Sequence, residues 1–109
     1  FCQLHFIGDE ERVKRDEPLV RAFLAVVRRG IDFIHEHPDE AWHLYKKYAQ
    51  QEQSNRLSDR IYQATIGCFC HDLSMSNLYW TRLVEWMVET KQIKAPIDIA
   101  PCFNNHLAF

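Results

Sequence analysis

Glycine is scarce here: three residues in 109, none near another. That excludes a glycine-rich phosphate loop, a dinucleotide fingerprint and a nucleophile elbow, which need glycines at short fixed spacing. Charge of one sign is also missing. With 13 basic and 15 acidic residues the net charge is -2, so no surplus exists to draw in nucleic acid or an anionic membrane. No apolar run is long enough to span a bilayer; the longest, Ala22 to Val27, ends at Arg28 and Arg29. Four cysteines do not make a disulfide scaffold at this size. Cys2 and Cys102 could pair, but spacing does not decide it, and free thiols fit a reducing compartment slightly better. There is no initiator Met and no charged-then-apolar leader.

What is present is a core. Hydrophobic content of 47% with 13% aromatics marks an ordered segment, and residues 1–109 read as one domain or part of one. Gln3 to Ile7 alternates polar and apolar, the pattern of a half-buried strand, and Gly8-Asp9 ends it. Asp9 to Arg15 reads as a short solvated helical turn. A longer helix follows, with Asp16 as its N-cap and Pro18 in its first turn. Leu19, Val20, Phe23, Leu24, Val27, Ile31 and Ile34 recur at helical steps and predict one buried stripe. Pro38 ends that helix near His35 to His37 and opens the next, packed through Ala41, Trp42, Tyr45 and Tyr48. A third helix is expected from about Ser58 to Cys70, buried through Leu57, Ile61, Ala64, Thr65 and Cys68. A fourth starts after the N-cap Ser76, buries Tyr79, Trp80, Leu83, Val84 and Met87, and ends near Lys91. The tail, with two prolines and an Asn-Asn pair, is extended or looped. The expected class is mainly α: about four helices plus one N-terminal strand. A lone strand cannot satisfy its own backbone groups, so its sheet partners are expected upstream of Phe1.

Candidate chemistry is thin. "GCFCHD" puts Cys68, Cys70, His71 and Asp72 together, but one intervening residue is uncommon between zinc cysteines and no second ligand pair follows. On a helix the two thiols would diverge, so buried packing is the favoured reading. "HEHPDEAWH" offers His35, His37 and His43, yet Pro38 interrupts the helix and the spacing fits neither a metalloprotease nor a zinc deaminase. Trp42, Tyr45, Tyr48, Tyr79, Trp80 and Trp86 could stack a flat heterocycle, though core packing is the default for each. Arg28-Arg29 could hold an anion but reads as solvated surface. No catalytic residue emerges, and ligand-binding residues cannot be named.

Three stretches resemble a known family. "EPLVRAFLAVVRRGIDFIHEHPDEAWHLY" is similar to a helix–Pro–helix stretch of the thiamine-pyrimidine family, whose members have a type II periplasmic-binding-protein fold. "YWTRLVEWMVETKQIKAPIDIAPCFNNHLAF" resembles its C-terminal end, and "FCQLHFIGDE" the strand before the first of those helices. The sequence departs from the pattern at Gln92, where a turn Gly is common, and at Asn104, where Thr is usual. Leu107 arrives one residue early in the closing Phe103-Asn104-Asn105 motif. The resemblance implies that the chain is the C-terminal part of a two-lobe α/β protein.

Two activities occur in that family. The first expectation is a periplasmic substrate-binding protein of an ABC importer that captures a thiamine pyrimidine precursor, not itself an enzyme. Its partners would be the pyrimidine, held by the missing lobes, and the permease. The alternative is a cytoplasmic hydroxymethylpyrimidine phosphate synthase, which uses pyridoxal phosphate and iron. Under that reading Cys2 would be the last cysteine of a metal-binding run, while the lysine and catalytic histidine would lie upstream. Neither cofactor is expected on this segment otherwise. A stand-alone helical interaction domain is a third reading, and an apolar face left bare would favour self-association into a homo-oligomer.

Overall fold

The computed structural model describes residues 5–50 and 55–107. The described residues are mainly helical, with five helices among them: α1 (Glu10–Arg15), α2 (Glu17–Glu36), α3 (Pro38–Tyr48), α4 (Arg56–Ile66) and α5 (Asn77–Glu89). A single 3-10 turn covers Ala100–Cys102. The chain forms two compact units. The first gathers the residues up to Arg21 and those from Ser74 onward; the second is Ala22–Leu73.

In the first unit, α1 is set by its ends. The Asp9 carboxylate accepts the Arg12 N–H at 3.0 Å, with Glu10 and Glu11 in the first turn and Arg12, Lys14 and Arg15 in the last. Both charge placements complement the helix dipole. Asp16 does stand at the head of α2, where its carbonyl accepts the Val20 N–H at 3.1 Å. Its side chain is no cap: the Arg15 guanidinium takes it at 2.7 and 3.1 Å.

Helix α5 starts where expected, with Ser76 Oγ accepting the Tyr79 N–H at 3.4 Å, and Val84 is its buried residue. It ends at Glu89 in a Schellman closure. The Lys91 N–H donates to Val88 O at 3.0 Å and the Gln92 N–H to Met87 O at 2.8 Å. The left-handed residue is therefore Lys91, at φ 59°, and not Gln92. That removes any need for glycine at 92.

The expected strand is not seen. Gln3 and Leu4 lie outside the described residues, and His5 to Ile7 form no strand. No strand occurs among the described residues, so nothing offers these groups a ladder. The segment is placed instead by the His5 ring, 5.3 Å from that of Trp80, and Ile7 is 96% exposed.

The second unit is built on the break at Pro38. The His37 N–H closes the last bond of α2 onto Phe33 O at 2.8 Å, and Pro38, lacking an N–H, opens α3. Ile31 and Ala41 are its buried apolar residues. Helix α4 begins earlier than expected because Asn55 caps it. Asn55 Oδ1 accepts the Ser58 N–H at 2.8 Å, and Ser58 Oγ accepts the Asn55 N–H at 3.1 Å. This is a capping box, so Ser58 is its third residue, not its start. The helix stops at Ile66 with Gly67 as its cap, four residues short of Cys70.

Several expected core residues are bare. Leu19 is 71% exposed, Tyr48 is 91% exposed, and Phe23, Tyr45, Leu57 and Ile61 are also exposed. Helical periodicity identifies an apolar face; only packing against a neighbouring element can bury it.

Candidate functional site

The early end of α4 changes the reading of "GCFCHD". Cys68 and Cys70 sit in a loop, and both are exposed, so neither packs in a core. The loop is held to α2 by His35. Its ring stacks on that of His71, with centroids 4.4 Å apart and planes 27° from parallel, and His35 Nε2 lies 3.3 Å from Phe69 O. Two stacked imidazoles do not aim their nitrogens at one point. Among the described residues no group of three or more His, Cys, Asp or Glu side chains converges as a metal site. Cys2 lies outside the described residues.

The three histidines of "HEHPDEAWH" part company at Pro38. His35 faces the loop, the His37 ring lies 5.2 Å from that of Phe33, and His43 is exposed. The structure brings none of them together.

The aromatics of the second unit spend their faces on one another. Trp42 stacks on Tyr62 at 4.5 Å and on Tyr45 at 5.6 Å, both within 12° of parallel. Polar ends are matched too. Trp42 Nε1–H donates to Asp59 Oδ1 at 2.7 Å, Tyr62 O–H donates to Pro38 O at 2.6 Å, and the Lys46 ammonium lies 5.3 Å from the Trp42 ring centre. Burial, with a smaller contribution from the Asp39 carboxylate, raises the Tyr62 phenol above its ordinary pKa. This is a clamp between α3 and α4.

The first unit has its own cluster around Trp80, whose ring stacks on Phe103 at 5.5 Å and meets Tyr79 edge-on at 5.7 Å. Trp80 Nε1–H is buried with no hydrogen-bond acceptor. Beside it the closing motif acts as a clasp. Asn105 Oδ1 accepts the Met75 N–H at 2.8 Å while Asn105 Nδ2 donates to Met75 O at 2.8 Å. Asn104 Oδ1 accepts the His106 N–H at 2.6 Å and closes the turn after it. Thus Phe103 holds the tail to α5 through Trp80, and Asn105 holds it to Met75, the residue before the α5 cap. Spacing gave no sign of the Asn105 contact; only the motif's resemblance pointed to that stretch.

One further concavity, a groove of about 510 Å³, lies between α5 and residues 96–99. Val84, Val88, Ile97 and Ile99 line it together with Glu85, Glu89 and Asp98. The Asp98 carboxylate is partly occupied by the Ala100 N–H at 3.0 Å. Among the described residues, none of these arrangements pairs a nucleophile with a base.

The helix–Pro–helix turn and the tail lie in two of the three stretches that carried the family resemblance. Residues 1–41 match the family described as NMT1/THI5 like. Over those residues the chain is similar to that family. Over 83 residues it is 28% identical to each of two Saccharomyces cerevisiae proteins named 4-amino-5-hydroxymethyl-2-methylpyrimidine phosphate synthase, THI5 and THI11. It is 24% identical to a synthase of the same name from Candida albicans. Each alignment covers 76% of this chain and 24% of the relative. The chain therefore spans about a quarter of the length of the curated relatives it matches. No solved structure matches.

These names correct the first functional expectation. The relatives are named as 4-amino-5-hydroxymethyl-2-methylpyrimidine phosphate synthases, not as importer binding proteins, so the importer binding-protein reading gives way to the synthase alternative. The error has a physical source. Packing helices and a tail clasp do not by themselves distinguish transport from catalysis, and the residues that distinguish the two activities were expected elsewhere.

Proposed function

We propose that this chain serves the synthesis of 4-amino-5-hydroxymethyl-2-methylpyrimidine phosphate, as the helical scaffold portion of a synthase-like protein. The reading is carried by one observation: curated relatives from two yeasts, aligned over the same length, bear that synthase name. In this reading α1–α5 contribute packing, and the Asn105 clasp sets the position of the tail. The chemistry falls to residues other than those described above. The described side chains do not fit a resident metal, since no three donors converge, and no step through iron or pyridoxal phosphate is assigned to them. An α/β parent with two lobes is part of the same proposal.

A segment exchange tests it. The matching quarter of the Saccharomyces cerevisiae synthase is replaced by this chain, and the chimera is expressed in a strain lacking its own synthases. Growth without added thiamine, comparable to that given by the intact enzyme, is expected. A chimera that accumulates folded yet supports no growth would count against the proposal, because a scaffold segment should be exchangeable among relatives.

A further inference from the structure

We draw no further inference here: the strongest candidate, the shallow groove between α5 and residues 96–99 with Glu85, Glu89 and Asp98 on its walls, is an acidic cluster over an open apolar face, and nothing in the structure shows what covers it.

Discussion

Replacing Asn105 by alanine removes both hydrogen bonds to Met75, each 2.8 Å long. A net bond of this kind contributes about 1 kcal/mol. Met75 and Asn105 are half-buried, so water only partly replaces the lost partner, and the Met75 N–H and C=O are left under-satisfied. A loss of about 2 kcal/mol follows for the first unit. Such a loss would speed amide exchange at Met75 about 30-fold if it opens locally, since 1.4 kcal/mol is a factor of ten.

Asn105→Asp adds a signed test. The carboxylate keeps the acceptor for the Met75 N–H but turns a second oxygen toward the Met75 carbonyl, where Nδ2 had donated. Repulsion favours the protonated acid in the folded state, raising its pKa above the ordinary value of about 3.9. The variant's extra stability is then present below the unfolded pKa and is lost as pH rises through the folded one. Denaturant midpoints and exchange rates at pH 3 to 7 measure this. If Asn105→Ala left both the midpoint and the Met75 amide unchanged, the clasp would be decoration and the reasoning wrong.

Four other outcomes are expected. Trp42→Phe keeps a ring against Tyr62 but loses the bond to Asp59, and should cost about 1–3 kcal/mol by chemical denaturation, a bond to a charged acceptor being the stronger kind. Asn55→Ala and Ser76→Ala each remove a helix cap and should cost about 1 kcal/mol, read as lost helicity and a lower denaturation midpoint. Lys91→Gly relieves a left-handed residue in the Schellman closure; it should stabilise α5 by about 0.5–1 kcal/mol, and a destabilised variant would contradict the assigned φ of 59°. Tyr62, with its pKa raised, should ionise above the usual tyrosine range in a near-ultraviolet titration. Its contribution to stability persists below the unfolded pKa and fades as pH climbs through the folded one, and Asp39→Asn should remove only the smaller part of the shift.

Much of the local architecture was legible before any coordinates. Pro38 lacks an N–H and restricts the residue before it, so the break between α2 and α3 is written in one position. Ser76 can cap because its hydroxyl reaches an N–H three residues on, a distance that the sequence itself displays. Asn55 and Ser58 carry the same kind of signal, which the polar run before them obscured. Family resemblance was also legible, whereas the choice between importer and synthase was not.

Contacts across long stretches of chain were decided by the tertiary structure alone. Asn105 meets Met75 across 30 residues, Tyr62 meets Pro38 across 24, and Trp42 meets Asp59 across 17. No spacing rule encodes such pairs, because they depend on where a turn sends the next helix. Exposure follows the same logic. Periodicity placed Leu19 and Ile31 in one stripe, yet one is bare and the other buried. Sequence set the apolar character of both side chains; burial depends on what packs against each, and of the two only Ile31 is buried.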